Sequence, residues 1–149
     1  MFMRSGGKPI EYKGKILHMW DRISVPKRET EMEYRILSTS SEWKQGFGLS
    51  VNGDFDFGTE KPIKSAVSIW EDTAPHTGTF RCRSNAGPLI IKNIWDEGRG
   101  GTESGTNGAA MWIEEIPNGR RYHCNDGHFD DDFDDIVFEI TLVVSGPDA

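Results

Sequence analysis

The sequence predicts an all-β fold, a single antiparallel β-sandwich, with a small β-barrel as the alternative. Three observations predict it: apolar residues alternate with polar ones over short runs, turn-forming residues separate the runs, and no stretch keeps a helical period over three turns. The 149 residues include 17 Gly, 7 Pro, five Trp, eight Phe and three Tyr, a composition typical of many strands joined by turns.

Two segments show the strand pattern most clearly. In residues 31–37 every second residue is apolar, namely Met32, Tyr34 and Ile36, and in residues 136–145 the apolar positions keep one parity without a break. Side chains on a strand point alternately to its two faces, so these are half-buried strands. The further predicted strands are 10–20, 46–51, 63–71, 77–83, 88–95, 109–116 and 120–124.

The predicted turns contain residues that tolerate a positive φ angle. They are Asn52-Gly53, Asn85-Ala86-Gly87, Asn118-Gly119 and Asp126-Gly127, and Asn118-Gly119 between two strand-like runs is the clearest hairpin. Residues 97–108, rich in Gly, Ser and Thr, form the longest predicted loop.

Length and charge narrow the class of protein. A chain of this length predicts one β domain over residues 1–149, with frayed ends at about 1–8 and 146–149. The formal net charge of -7 and pI near 5.1 argue against nucleic acid or an anionic membrane as partner. No apolar signal segment is seen, so the sequence as given predicts a cytoplasmic protein, or a secreted one if a signal was removed.

The chain has two cysteines, Cys82 and Cys124. Two buried or free thiols are expected from so few, and a single disulfide between them remains open, as does the oligomeric state. Zinc binding at the neighbouring His123, Cys124 and His128 is disfavoured, because adjacent strand residues point to opposite faces.

The region before the last strand is unusually acidic. Six aspartates fall between positions 126 and 135, and two unit charges about 6 Å apart repel by about 0.7 kcal/mol in water and by about 3 kcal/mol at an effective dielectric of 20. Calcium takes six to eight oxygen ligands, so the segment predicts a Ca²⁺ site. The predicted ligands are Asp126, Asp130, Asp132, Asp134 and Asp135. The alternatives are a solvated acidic turn and a docking patch for a basic partner.

Residues 129–138 resemble an acidic motif of bacterial secreted β-sandwich domains, Asp-x-Asp-Phe/Tyr-Asn-Asp-Leu/Val-Val. The matching positions are Asp130, Asp132, Phe133, Asp135, Ile136 and Val137, and Asp134 replaces the usual Asn. The resemblance covers about a dozen residues and implies calcium bound beside a core strand. A second acidic segment, Asp54 to Phe57, is interpreted as a continuing strand with its acids exposed and Phe55 and Phe57 turned inward. The alternative is that Asp54 and Asp56 complete the same cation shell from a neighbouring loop.

Three tryptophans lie beside acidic residues at predicted strand ends. Trp20, Trp70 and Trp95 are the predicted ligand-contact rings, because an indole wall with neighbouring carboxylates suits a sugar or a small aromatic compound. The first function hypothesis is therefore a calcium-stabilised binding module for a carbohydrate or small aromatic ligand.

The second hypothesis is a cofactor-free biosynthetic enzyme of the cyclase, isomerase or lyase type. Its candidate acid–base groups in a Trp-lined pocket are Asp72, Asp96, His76 and His123. No nucleophile motif or phosphate loop is present in the sequence. A third hypothesis is an acidic decoy or immunity-type protein that binds a basic partner.

Overall fold

Ten β-strands make up most of the part of the chain that the structure, a computed structural model, describes. The described residues are 10–12, 15–25, 28–40, 43–96, 110–125, 133 and 135–143. Among them every strand pairing is antiparallel and no helix occurs, so the all-β prediction is confirmed. None of these residues forms a helix long and apolar enough to cross a bilayer.

The strands follow one another with short connections wherever both ends are described. Their bounds are β1 Ile10–Tyr12, β2 Lys15–His18, β3 Asp21–Ile23, β4 Glu29–Thr39, β5 Lys44–Asp56, β6 Ile63–Trp70, β7 Thr77–Asp96, β8 Ala110–Ile116, β9 Gly119–Asn125 and β10 Ile136–Leu142.

All ten strands belong to one hydrogen-bonded sheet. Its order is β1-β2-β8-β9-β10-β4-β7-β5-β6, and β3 also pairs with β7. The 20-residue β7 organises this arrangement, because β5 runs along one side of it while β4 and β3 share the other side in succession. The predicted strands 77–83 and 88–95 are thus two halves of one long strand.

The sheet curls strongly around its core. Phe47 of β5 stacks on Phe138 of β10 with ring centroids 4.3 Å apart, although two other strands separate β5 from β10 in the sheet. Tyr34 meets the same Phe47 edge to face at 5.6 Å. Fully burying one such side chain stabilises a fold by about 1.5–3 kcal/mol, so these contacts help to hold the curl in place.

The alternating apolar residues predicted from the sequence lie on the inner face of the sheet. Met32, Tyr34 and Ile36 are buried, as are Phe138 and Ile140 of the last strand. The sequence pattern therefore identified the core side of both strands correctly.

Two predicted turns lie inside strands instead. Asn52-Gly53 falls within β5, and Asn85 to Gly87 falls within β7, where the pairing of the two strands shifts register. Gly87 has a φ of +81°, and a Cβ on Gly53 would lie 1.8 Å from the Arg83 carbonyl oxygen. Residues suited to turns are also suited to irregular pairing in a bent strand, which is why the sequence pattern misled.

The hairpin at Asn118-Gly119 is confirmed. β8 and β9 pair from Ile116↔Gly119 onward, and Asn118 has a φ of 65°. The Asp54–Phe57 interpretation holds in part. β5 extends through Asp56, Phe55 is fully buried and Phe57 stacks on Phe80, as predicted. The two acids are not exposed, because Asp54 and Asp56 are half-buried and form ion pairs with Arg83.

The two cysteines are free, buried thiols on different strands. Burial raises the pKa of the Cys82 thiol to about 11, with a smaller contribution from the Asp54 carboxylate. Burial also raises the pKa of Cys124 well above its usual value, and the Asp135 carboxylate raises it further. Both side chains therefore act as small apolar core residues.

Candidate functional site

Two of the predicted site residues contact one lysine, Lys44, at the start of β5, and a third lies opposite it on the neighbouring strand. The Lys44 ammonium nitrogen lies 3.5 Å from an Asp72 carboxylate oxygen and 4.6 Å from the centroid of the Trp70 indole. Asp96 is the direct cross-strand partner of Lys44 in the β5–β7 pairing. The sheet thus brings together Trp70, Asp72 and Asp96 on its outer face.

Gly46 gives the Trp70 ring its position. Gly46 is the cross-strand partner of Trp70, and a Cβ at Gly46 would lie 2.4 Å from the Ile69 carbonyl oxygen and 3.1 Å from Cε3 of the indole. Only the absence of a side chain lets β6 and the indole approach β5 so closely. The ring then reaches Lys44, whose cation over the ring face contributes about 0.5–1 kcal/mol at such a solvated site.

A shallow depression, here called the outer trough, begins one residue pair along the sheet from this cluster, because its lining residues Gly48 and Ser68 are each two positions from the Gly46–Trp70 pair. It has a volume of about 180 Å³ and is lined mainly by small residues of β5 and β6 and by two residues of β7. Its principal lining residues are Gly48, Ser50, Ala66, Ser68, Lys92 and Ile94. Gly48 and Ser68 are cross-strand partners, so the floor is flat and carries hydroxyl groups.

His76 lies at the same end of the sheet, where it forms hydrogen bonds with backbone atoms. Its Nε2 lies 3.0 Å from the Glu71 carbonyl oxygen, and its own carbonyl accepts a hydrogen bond from the Ile36 amide at 2.6 Å. These bonds tie the β6–β7 connection, which carries Asp72, to β4.

His123 lies in the other half of the strand order. Its ring stacks on Trp112 at 4.3 Å, and its Nε2 lies 2.9 Å from a Glu114 carboxylate oxygen. The hydrogen bond to His123, followed by the nearby Arg121 charge, lowers the pKa of Glu114. The four predicted acid–base groups therefore do not form one constellation, because His123 belongs to a separate cluster on β8 and β9.

Trp95 differs from the prediction. Its side chain is fully buried, on the inner parity shared with Asn93 and Ile91, whereas the adjacent Asp96 has the outer parity. Trp95 is thus a core residue and has no exposed ring for a ligand. Trp20 is half-buried in the bend between β2 and β3, directly before Asp21, whose strand pairs with β7.

The acidic segment begins and ends on residues that the structure describes. Four of the five predicted calcium ligands lie outside the described residues, namely Asp126, Asp130, Asp132 and Asp134. Gly127, His128, the predicted 97–108 loop and the predicted frayed ends also lie outside them. The fifth, Asp135, is buried. Its amide donates to the Cys124 carbonyl at 3.0 Å, and its carbonyl accepts from the Ser40 amide at 3.1 Å.

Asn125 fixes the other end of the acidic segment. Its side-chain oxygen accepts a 2.7 Å hydrogen bond from the Phe133 amide, and its carbonyl accepts a 2.8 Å bond from the Asn93 side chain. Phe133 has a φ of 55° and packs in a small cluster with Leu17. Phe133, the aromatic residue of the acidic motif, therefore packs into the core. The buried Asn93 and Asn125 side chains hydrogen-bond the backbone where the acidic segment begins and ends.

The base of the acidic segment adjoins the strands that build the Lys44 cluster. Asn93 precedes Asp96 by three positions on β7, and Ser40 precedes Lys44 by four positions. Among the described residues, no three His, Cys, Asp or Glu side chains are grouped so as to hold a metal ion.

Sequence reasoning missed Lys44 and Gly46. Lys44 and Gly46 face the same side of β5, and Trp70 of β6 is the cross-strand partner of Gly46. Only the register of the β5–β6 pairing reveals this proximity. A glycine inside an apolar strand pattern, two positions after a lysine, is the only signal for a close approach that the sequence offered.

Comparisons with known proteins add no relative: no protein-family model matches the sequence, and no curated protein and no solved structure matches the chain.

Proposed function

We propose that this protein is a calcium-stabilised β binding module that holds a carbohydrate or a small aromatic ligand in the outer trough beside Trp70. The observation that carries the proposal is that Trp70 and Asp72 contact Lys44 at one end of the outer sheet face, with Asp96 as the cross-strand partner of Lys44.

The chemistry of the trough suits such a ligand. The half-buried indole offers apolar contact, while Asp72, Asp96 and Lys44 offer acceptors and a donor for hydroxyl groups. The volume of about 180 Å³ is below the range of roughly 300–1,000 Å³ for drug-sized ligands. One sugar or aromatic ring, lying flat on the small-residue floor, is the expected guest.

The proposed calcium ligands are the five aspartates named from the sequence, with Asp135 at the closed base of the segment. Support comes from the hydrogen bonds that fix both ends of the segment at Asn125 and Asp135. Ends held this closely keep the intervening carboxylates at high local concentration, which favours a divalent ion. An ion there would stiffen a segment that adjoins the Lys44 cluster.

The enzyme hypothesis has less support in the described region. The Asp72 side chain is 47% exposed and is paired with Lys44, and Trp95 is withdrawn into the core. A closed indole-lined pocket with a desolvated carboxylate would be needed for proton transfer. The open trough favours binding over catalysis.

Calcium is tested by thermal unfolding and titration calorimetry in the presence of Ca²⁺ or a chelator. Calcium at 100 times its dissociation constant should add about 2.7 kcal/mol to the free energy of unfolding. The double variant D130N/D132N should lose this response. The control E11Q/E60Q removes the same charge from exposed positions elsewhere and should keep it. If the melting temperature is the same in calcium and in chelator, the proposed stabilisation by calcium is wrong.

The ligand is tested by a panel of monosaccharides and disaccharides together with indole and phenol, followed by calorimetry. W70A should weaken binding of any hit by at least about tenfold, the loss expected when an aromatic contact is removed. W112A, which truncates a half-buried indole on β8, should bind as the parent does. Equal losses in both variants would move the ligand away from the trough.

A further inference from the structure

A second polar cluster lies away from the outer trough and joins β3 to β9. The Asp21 side chain is buried, and both of its carboxylate oxygens lie 2.8 Å from the same guanidinium nitrogen of Arg120. The Tyr122 hydroxyl donates to one of those oxygens at 2.7 Å. Asp21 is thus a fully engaged carboxylate that fixes the position of Arg120.

The pKa shifts of two residues reflect the surroundings of this cluster. Burial lowers the pKa of His18, with the nearby Asp21 charge opposing the effect and Arg120 adding to it. The hydrogen bond to Asp21 raises the pKa of Arg120. The guanidinium is therefore a permanent, oriented cation at the edge of the protein interior.

A groove of about 470 Å³ opens next to Arg120. It lies between β3, the β8–β9 hairpin, β10 and β4, within the size range of pockets for small organic ligands. Its apolar lining residues include Ile23, Ile116 and Leu142, and the Arg22 and Arg120 residues also line it. An apolar wall next to the fixed Arg120 cation matches a ligand with one anionic end and one apolar end.

A surface carboxylate marks the anion position. A Glu115 oxygen lies 3.0 Å from Nε of Arg120, and the Glu115 side chain is 74% exposed. Exposed ion pairs of this kind contribute little to stability, so a ligand carboxylate with apolar contacts can displace Glu115. The buried bond to Asp21 would stay in place.

We infer that this groove binds a small amphipathic monocarboxylate, whose carboxylate replaces Glu115 on Arg120 while its apolar part packs on Ile116 and Leu142. Binding is a non-covalent exchange of one carboxylate for another, and it is independent of the ligand proposed for the outer trough.

The test is calorimetric titration of the full chain with octanoate, 4-phenylbutyrate and indole-3-acetate, each compared with its primary amide. At least one acid should bind at a single site, and its amide should bind at least about tenfold more weakly. E115Q should bind that acid more tightly, about two- to fivefold, because the competing carboxylate is gone.

Two variants locate the site without touching the Asp21 cluster. S24W places a large side chain in the groove from an exposed lining position and should abolish binding, whereas S38W, at an exposed position of β4 outside the groove, should not. W70A should have no effect, which separates this site from the outer trough. The inference fails if none of the three acids binds at millimolar concentration, if acid and amide bind alike, or if S24W binds normally.

Discussion

Two polar clusters of this protein, around Lys44 and around Asp21, differ in how far their charged groups are exposed to solvent. Around Lys44 the charges are partly exposed, with 34% of the lysine side chain and 47% of the Asp72 side chain in solvent. Around Asp21 the carboxylate side chain is 8% exposed and receives three short hydrogen bonds from Arg120 and Tyr122. Exposed pairs of this kind contribute about 0–1 kcal/mol, whereas breaking a buried pair costs several. The Asp21 cluster should therefore contribute more to the free energy of unfolding than the Lys44 cluster does.

The largest predicted difference concerns two tryptophans from the two environments. W95A removes a fully buried indole and should lower the free energy of unfolding by about 3–5 kcal/mol. W70A removes a half-buried ring on the outer face and should cost about 1 kcal/mol, mainly through its lost contact with Lys44. Urea denaturation of both variants gives the comparison, and similar losses would show that Trp95 is not a core residue.

The next prediction compares the two aspartates directly. D21N keeps the shape of Asp21 but removes the charge that compensates Arg120, so it should destabilise the protein by about 3 kcal/mol. D72N, on the exposed pair, should change stability by less than about 1 kcal/mol. The measurement is the urea midpoint of each variant, provided that the slope of the transition is unchanged. Equal losses of stability in D21N and D72N would contradict the proposed difference between the buried and the exposed pair.

A pair of glycines tests the close approach of β5 and β6. G46A places a methyl group 2.4 Å from the Ile69 carbonyl oxygen, a backbone atom that cannot turn aside, so it should cost about 1–3 kcal/mol. G48A meets only ordinary contacts, 3.6 Å from the Lys92 side chain, and should be neutral or stabilising by up to about 1 kcal/mol. Thermal unfolding of both variants distinguishes them. If G46A were as stable as G48A, the two strands would not lie this close.

The smallest predicted effect is a pH dependence from the Asp21 cluster. Burial lowers the pKa of His18 below its ordinary value of about 6.5. Between that value and the lower pKa of the folded state, the unfolded chain binds a proton that the folded chain does not, so stability falls as pH falls below about 6.5. Melting temperatures between pH 5 and 8 should show this slope, and H18Q should flatten it. A parallel curve for H18Q would assign the slope to other groups.

Local patterns predicted much of the strand content. The alternation of Met32, Tyr34 and Ile36 sets a buried face through the period of a strand, and Asn118-Gly119 favours a tight turn through the φ angle it accepts. Both properties belong to a few neighbouring residues. The same local reasoning placed turns at Asn52-Gly53 and at Asn85 to Gly87, where the structure has bent, continuous strands.

The candidate site was predictable only in part for a related reason. Trp95 and Asp96 both looked like site residues, but adjacent strand positions face opposite sides, and the pairing of β7 with β5 turns Trp95 inward and Asp96 outward. Lys44 carried no local signal at all. Its role follows from the two strands that flank β5.

The amino-acid sequence by itself determined that this chain forms strands, which faces of the clearest ones are buried, and where its negative charge is concentrated. Tertiary structure alone decided which distant residues meet: Asp21 with Arg120, 99 positions apart, and Lys44 with Asp72 across β5 and β6. The physical reason is that alternation and turn preference act over a few residues, whereas strand register and sheet curl are set by packing of the whole core.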